Sequence, residues 1–132
     1  MLDYISIYSG DQGQGQYKGE ISKIDGMPHG LGDMIYLDGC KYIGEWNHGR
    51  WHGKGKVLLT NGDVYEGQYK FDHRHGRGVY RWNDGRVYDG QFSEDKRHGH
   101  GIFTWPDGAI YDGEFNNGQR HGHGKYTFAD GG

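Results

Sequence analysis

The sequence predicts an all-β protein, namely an elongated single-layer antiparallel sheet built of tandem β-hairpins. A Tyr-x-Gly segment recurs at one constant interval at Tyr42, Tyr65, Tyr88 and Tyr111, and a further copy begins at Tyr17. Within each copy, apolar and polar residues alternate with a period of two, which is typical of half-buried strands. Asp-Gly or Asn-Gly pairs lie between the alternating segments, as hairpin turns require. These observations favour a stacked array of repeats over one globular core.

Each copy follows the same order: Tyr-x-Gly, an aromatic residue two positions later, His-Gly-x-Gly, two further apolar positions, and Asp-Gly or Asn-Gly. The first copy departs from this order, because it has two extra residues between Tyr17 and His29. Residues 1–16 fit the pattern poorly and are interpreted as a degenerate N-terminal strand or cap. The five copies predicted within 17–132 are 17–39, 42–62, 65–85, 88–108 and 111–131.

The aromatic residues of each copy are predicted to lie on one face of the sheet. In the fourth copy, Tyr88 and Phe92 share a face of the first strand, and Phe103 and Trp105 share a face of the second. No stretch shows helical spacing of apolar residues, so we expect almost no helix. The turns predicted from sequence are Asn61-Gly62, Asp84-Gly85 and Asp107-Gly108 between copies, and Asn117-Gly118 inside the fifth copy.

Glycine and histidine recur at fixed places, which indicates structural roles in building the repeat. The glycine between the paired aromatic residues, such as Gly67, is expected to leave space for a ring from the adjacent strand. The His-Gly-x-Gly step removes side chains from one face of the strand and permits a β-bulge. We expect its histidine, such as His75, to hydrogen-bond the turn that it follows and to cover the edge of the aromatic face.

This skeleton resembles the membrane occupation and recognition nexus repeat, or MORN repeat. The resemblance covers 17–131, and the first copy departs from the pattern because Ile21 replaces the aromatic residue. The resemblance implies an elongated sheet of hairpins and a non-catalytic scaffold, often beside a catalytic or membrane-anchoring domain. The segments that carry it most clearly are 88–92, 98–101, 106–108, 111–115 and 121–124.

Composition excludes several classes of protein. Apolar residues make up 33% of the chain, which is too few for a conventional two-layer core. The net charge of −3 argues against a nucleic-acid partner. Cys40 is the only cysteine, so no intramolecular disulfide forms. With no signal peptide and no long apolar run, a cytoplasmic location is expected, with membrane or cytoskeleton association as an alternative. The chain stops at Gly131-Gly132, where another copy would start, which suggests a fragment of a longer array.

The sequence predicts neither a catalytic site nor a metal site. The nine histidines include His98-x-His100 and an equivalent pair in the fifth copy, but neither a cysteine nor a carboxylate recurs with them. The Gly-x-Gly steps lack the following helix that a phosphate-binding loop needs. Glu94 and Asp95 lie in a predicted solvated turn. We therefore expect no catalytic residue, no metal, no cofactor and no enzyme.

Two binding hypotheses remain, because a single sheet leaves surface open on its faces. The first is a scaffold whose aromatic face binds a partner protein or a second copy in a homodimer. Its predicted contact residues are Tyr42, Trp46, Tyr65, Tyr69, Tyr80, Trp82, Tyr88, Phe92, Phe103, Trp105, Tyr111 and Phe115. The alternative is a module that tethers an anionic phospholipid membrane, as in the regulatory part of a phosphatidylinositol phosphate kinase. Its predicted residues, expected along one side of the ribbon, are Arg50, Arg74, Lys96, Arg97 and Arg120.

Overall fold

The computed structural model describes residues 3–10 and 13–128, and in these residues the chain forms eleven β-strands and no helix. Each strand pairs antiparallel with its neighbours in the chain, so the order of strands in the one open sheet is their order in the sequence. The predicted fold class is confirmed. The strands are β1 (Asp3–Gly10), β2 (Gly13–Ile21), β3 (Pro28–Tyr36), β4 (Lys41–Asn47), β5 (Arg50–Leu58), β6 (Val64–Lys70), β7 (His73–Arg81), β8 (Val87–Ser93), β9 (Lys96–Thr104), β10 (Ile110–Asn116) and β11 (Gln119–Thr127).

A β-bulge interrupts the hairpin of every copy, as the sequence predicts. Beyond the Gly67–Gly78 pair, the register of β6 and β7 shifts, so that Gln68 alone faces three residues of the second strand. The Gln68 Oε1 atom accepts the N–H of Arg77 at 2.9 Å, and the Gln68 carbonyl accepts the Tyr65 hydroxyl at 3.0 Å. The tyrosine-to-carbonyl bond recurs in all five copies. Each tyrosine therefore satisfies a carbonyl at the bulge, where the strand ladder is interrupted.

The paired glycines are required by close contact. A Cβ on Gly67 would overlap the Cα of Gly78, and a Cβ on Gly78 would overlap the ring of Tyr65. The ring that lies over Gly67 thus comes from its own strand, and not from the adjacent strand as predicted, because the tyrosine must lie over the bulge to bond its carbonyl. Glycine pairs of this kind continue from β2 to β11.

The core consists of rings that pack from one copy to the next. Tyr65 contacts Tyr69 of its own strand and Phe92 of the next copy, with ring centroids 5.1 Å and 5.2 Å apart. Tyr88 repeats this arrangement with Phe92 and Phe115, both at 5.1 Å. All four contacts are edge-to-face, and each such pair contributes about 0.5–1.5 kcal/mol beyond burial. The core therefore consists of ring contacts within each copy and of ring contacts that join neighbouring copies.

A two-residue turn, which we call the hairpin tip, joins the strands of copies two to five. Both residues of each tip have left-handed φ angles of 44–86°, as type I′ turns require. The N–H of the second tip residue donates to a carbonyl of the preceding copy, for example from Asp72 to Trp51 at 2.8 Å. The Asp72 side chain also accepts the N–H of Trp51 at 2.8 Å. The four tips are His48-Gly49, Phe71-Asp72, Glu94-Asp95 and Asn117-Gly118.

The repeated histidine bonds a different tip from the one predicted. His52 Nδ1 accepts the N–H of Phe71 at 3.4 Å, and His29 Nδ1 accepts the N–H of His48 at 3.2 Å. Both donors belong to the following copy, so for His29 and His52 the prediction that the histidine bonds the turn it follows is wrong. The second strand of each copy pairs with the first strand of the next copy, which brings the next hairpin tip beside the histidine.

The first copy has a longer tip than the others. Six residues, 22–27, connect β2 and β3, and the N–H of Ser22 donates to the carbonyl of Met27 at 2.8 Å. Pairing is already established at Ile21 and Pro28, directly beside this loop. Asp25 in the loop contacts His48 of the next tip, with 2.8 Å between Oδ2 and Nδ1. The extra residues therefore extend the tip and leave the sheet register unchanged.

Four residues connect copies one and two, and five residues connect each later pair of copies, for example residues 59–63 between β5 and β6. Gly62 has a φ of 94°, and its N–H donates to the carbonyl of Leu59 at 3.1 Å. The Asn61 side chain accepts the N–H of Asp63 at 2.9 Å, as an Asx turn does. The turns predicted between copies therefore exist, but each lies inside a longer connection and is not a two-residue hairpin. The turn predicted at Asn117-Gly118 is a two-residue hairpin tip, as expected.

Replacing Gly67 with valine is expected to lower the free energy of unfolding by about 1–3 kcal/mol, because the new side chain overlaps the backbone of Gly78. Thermal melting followed by circular dichroism measures the change. Glu66→Val is the matched control, since the adjacent exposed residue places the same side chain on the opposite face. Equal melting temperatures for the two variants would contradict the close packing described here.

Candidate functional site

Two rows of rings lie on the aromatic face, and they differ in exposure. The inner row comes mainly from the first strand of each copy and is buried. Of the predicted contact residues, those buried are Tyr42, Trp46, Tyr65, Tyr69, Tyr88, Phe92, Phe103, Tyr111 and Phe115. Tyr80, Trp82 and Trp105 are half-buried. The buried rings support the sheet, whereas the half-buried rings keep part of their surface exposed.

A second row, which we call the outer aromatic row, contains Tyr80, Trp82, Phe103, Trp105, Tyr126 and Phe128. Its successive ring centroids are 4.6, 5.3, 4.5, 5.4 and 4.8 Å apart. Exposure is 39% at Tyr126 and 59% at Phe128, so the last members are the most accessible. Sequence analysis missed these two, although they hold the same repeat positions, one copy later, as the predicted contact residues Phe103 and Trp105.

Arginines lie between the two rows. The guanidinium of Arg74 is 5.2 Å from the ring centroid of Phe92 and 5.3 Å from that of Tyr80. Arg97 is 5.3 Å from both Phe103 and Phe115. At these distances cation–π attraction contributes roughly 0.5–2 kcal/mol. Arginine is therefore part of the aromatic face.

The first of these arginines is neutralised by its neighbours. The Arg74 guanidinium contacts Asp95, with 3.3 Å between Nε and Oδ1, and it donates to the Asp95 carbonyl at 2.6 Å. His73 Nδ1 lies 2.6 Å from the other Asp95 oxygen. Burial acts to raise the pKa of Asp95, but the bonds from His73 and Arg74 outweigh burial and hold this pKa below its ordinary value. The bond to Asp95 raises the pKa of His73.

Arg97 has a different environment. It donates to the carbonyl of Gly118, at the position where the preceding copy has Asp95. Burial lowers the pKa of the Arg97 guanidinium, and the nearby cations, including Arg74 and Arg120, lower it further. Within the described residues, no carboxylate forms an ion pair with Arg97 or Arg120. The aromatic face is therefore more cationic in copies four and five than in copy three.

Tyr80 is fixed in the outer aromatic row by a buried carboxylate. Its hydroxyl donates to Asp63 Oδ2 at 2.7 Å, and the N–H of Asn83 donates to Oδ1 at 2.8 Å. Burial acts to raise the pKa of Asp63, but these hydrogen bonds outweigh it and the pKa is lowered overall. Burial, together with the bond to Asp63, raises the pKa of Tyr80 to about 12. Tyr80 therefore remains a hydrogen-bond donor with a fixed ring at neutral pH.

Three open cavities follow one another along the aromatic face. Tyr69, Tyr80 and Asp95 are among the residues around the first, which has a volume of about 500 Å³. Trp82 and Arg97 line the second, of about 320 Å³. The third is lined by Arg97, Phe103, Trp105, Phe115, Gly118, Gln119 and Arg120 and has a volume of about 450 Å³. Together they form a groove that begins at the end of copy one and continues to copy five, beside the outer aromatic row.

The sequence model of one family, described as MORN repeat, matches five consecutive segments at 23–41, 42–64, 65–85, 88–110 and 111–132. The chain belongs to the MORN repeat family. Its predicted membership is thereby confirmed, and the division at residue 17 into a cap and five copies stays a prediction. No curated protein matches the chain. MORN repeats are protein- or membrane-interaction modules and are themselves non-catalytic.

The basic residues predicted to contact a membrane have different surroundings on this MORN sheet. Arg74 and Arg97 lie over rings, as does Arg120, which is 5.7 Å from the ring centroid of Tyr111. Arg50 and Lys96 are exposed, and each directly precedes a residue of the aromatic face in its strand. Arg50 lines none of the three cavities, whereas Lys96 lines the second one beside Trp82 and Arg97.

Two further observations concern sites that the sequence does not predict. Among the described residues, no cluster of three or more His, Cys, Asp or Glu side chains is arranged to hold a metal ion. The described part of the chain also contains no helix with the length and apolar character needed to span a membrane. The groove along the aromatic face is the candidate site of this MORN array.

Replacing Asp95 with asparagine is expected to lower the free energy of unfolding at neutral pH by about 1–2 kcal/mol, because the charge-assisted bonds to His73 and Arg74 weaken. The difference from wild type should vanish as the pH falls through the lowered pKa of Asp95. It should also shrink as the pH rises through the raised pKa of His73, which then loses its charge. Urea unfolding across this range measures it.

The matched control is Asp107→Asn, because Asp107 accepts a backbone N–H in a connection between copies and forms no ion pair within the described residues. Its effect should be small and independent of pH. A loss of stability in Asp95→Asn that is the same at every pH would contradict the assigned contacts.

Proposed function

We propose that the chain is a non-catalytic scaffold whose aromatic groove binds an extended segment of a partner protein. The observation that carries the proposal is the outer aromatic row, in which packing fixes the rings and every ring except the buried Phe103 keeps part of its surface exposed. Trp82 and Trp105 expose part of each indole beside the cavities. Tryptophan and arginine are enriched among residues that dominate binding energy, and here both line one groove. Their positions are held by packing, so little entropy is lost when a partner orders them.

The structure changes which residues are expected to make contact. Tyr88 is fully buried and Phe92 is 5% exposed, and the Tyr88 hydroxyl bonds the carbonyl of Gln91. Removing these rings would destabilise the sheet by several kcal/mol, roughly 3–5 for each large buried ring, before it tested binding. The residues that present surface are Tyr80, Trp82 and Trp105, with Tyr126 and Phe128 at the end of the outer aromatic row.

A partner segment is favoured over a membrane as the occupant of this groove. Arg74 is neutralised by Asp95, and Arg50 lines none of the three cavities, so the uncompensated cations of the groove are confined to its end in copies four and five. A bilayer attracts clustered basic residues in proportion to their number near its surface. A groove lined by rings instead matches an extended peptide, which presents side chains to successive cavities.

The double variant Trp82→Ala and Trp105→Ala tests the proposal. Peptides are first selected from a random display library on the immobilised wild-type chain, and their Kd values are then measured by fluorescence polarisation. We expect the double variant to weaken the selected peptides by at least about tenfold, because it removes the exposed indole surface. Circular dichroism verifies that the variant folds.

The control variant carries Ile43→Ala and Ile102→Ala, which remove exposed apolar side chains, 43% and 36% exposed, from the opposite face. Its affinities should stay close to wild type. Selected peptides that bind both double variants equally, or a selection that enriches no peptide, would overturn the proposal. Salt-sensitive binding to phosphoinositide liposomes without any peptide binding would favour the membrane alternative. A dimer in light scattering that the indole variant abolishes would identify a second copy as the occupant.

A further inference from the structure

We propose that the groove in copies four and five selects acidic partner segments, whose carboxylates pair with Arg97 and Arg120. This inference rests on the proposed function and specifies the chemistry of the partner. It follows from how one position of the repeat is occupied in successive copies, from the missing counter-charges in the last two copies, and from the spacing of the two cations.

Packing does not require a charged residue at the repeat position that Arg97 and Arg120 hold. In copy two it is held by Trp51, whose ring stacks on Tyr42 with centroids 4.6 Å apart and planes only 6° from parallel. In the three later copies the equivalent position holds Arg74, Arg97 and Arg120. A planar guanidinium occupies the place of a planar indole. Since a neutral ring fills this place in copy two, the positive charge is an addition to the packing role.

The arginine of copy three has a compensating carboxylate, whereas the arginine of copy four does not. Arg74 has the Asp95 carboxylate at 3.3 Å, but the equivalent acceptor for Arg97 is the uncharged carbonyl of Gly118. Nearby cations are themselves compensated or exposed: Arg86 bonds the Asp84 carboxylate at 2.8 Å. A half-buried guanidinium without a carboxylate is costly in isolation, and a carboxylate supplied by a partner offsets this cost.

The other end of the groove has the opposite charge. The first cavity is lined by residues of copies one to four and contains the carboxylates of Asp38, Asp72 and Asp95 together with His73 and Arg74. The cavity in copies four and five is lined by Arg97 and Arg120 and by no carboxylate. An acidic segment is therefore attracted to copies four and five and repelled from the other end. This asymmetry also fixes the position of the segment along the groove.

The spacing of the two cations specifies the partner further. Arg97 lies in β9 and Arg120 in β11, two strands apart, which corresponds to about 10 Å across a sheet. A polyproline II helix rises about 3.1 Å per residue with three residues per turn, so side chains three apart lie on one side about 9 Å from each other. Proline-rich segments in this conformation bind grooves lined by aromatic rings. A segment with acidic residues at every third position fits both the cations and the indoles.

The probe is a labelled peptide of four tandem Glu-Pro-Pro units, compared with the same peptide carrying Gln in place of Glu. Fluorescence polarisation measures the binding of both to wild type and to the double variant Arg97→Gln and Arg120→Gln. We expect the Glu peptide to bind wild type at least about tenfold more tightly than the Gln peptide, and this difference to disappear in the double variant and at high salt. The control variant, Arg77→Gln and Arg81→Gln, removes the same charge from the opposite face and should keep the difference.

Equal binding of the two peptides to wild type, or no binding of the Glu peptide, overturns this inference, as does an equal loss in the control variant. If the double variant melts at a much lower temperature, the single variant Arg120→Gln is used instead, because Arg120 is exposed and packs on one ring. This variant should reduce the preference for the Glu peptide over the Gln peptide at least about threefold. Library peptides that depend on Trp82 and Trp105 but tolerate both arginine replacements would leave the proposed function standing and overturn this inference alone. Library peptides that ignore the indoles would overturn both.

Discussion

The hydrogen bond from each tyrosine hydroxyl to the carbonyl at the bulge is the interaction on which the rest of the sheet depends. To make it, the Tyr65 ring must lie flat against the backbone, which allows only glycine at Gly67 and Gly78. Burial raises the pKa of Tyr65 well above its ordinary value, so the hydroxyl stays protonated and keeps donating. The same constraint repeats in each copy and aligns glycines across ten strands. One side-chain bond therefore dictates two glycines and a bulge in each copy.

Around this fixed frame, a few positions vary without disturbing the packing. The place held by Trp51 in one copy and by Arg97 in another is the clearest case, because both side chains are planar and lie against neighbouring rings. The hairpin tips vary in the same way, since Asp95 supplies a carboxylate where Gly118 supplies only its backbone. The residues shared by all copies hold the sheet together, and we therefore expect the positions that differ between copies to determine function.

The fold was predictable because it depends on period and alternation, which are visible in one sequence. The constant interval between motifs and the tight turns leave few alternatives to hairpins paired in chain order. The site was harder, because sequence shows that Tyr88 and Trp82 are aromatic but not that the first is buried and the second half-exposed. From sequence, Arg97 was predicted to lie on a charged side of the ribbon, because arginine side chains seldom face a core. The histidine contacts depend on which hairpin tip lies nearest, which only the paired strands determine.

The long tip of the first copy shows where the array accepts a change of length. Its additional residues project beyond the sheet edge, while the strands on either side keep the pairing of every other copy. Insertions at this point leave the pitch of the array untouched, because no glycine pair or buried ring is displaced. The tips of successive copies follow one another along one long edge. The tips are therefore a row of attachment points, and loops or whole modules inserted there would be displayed at regular intervals on a rigid ribbon.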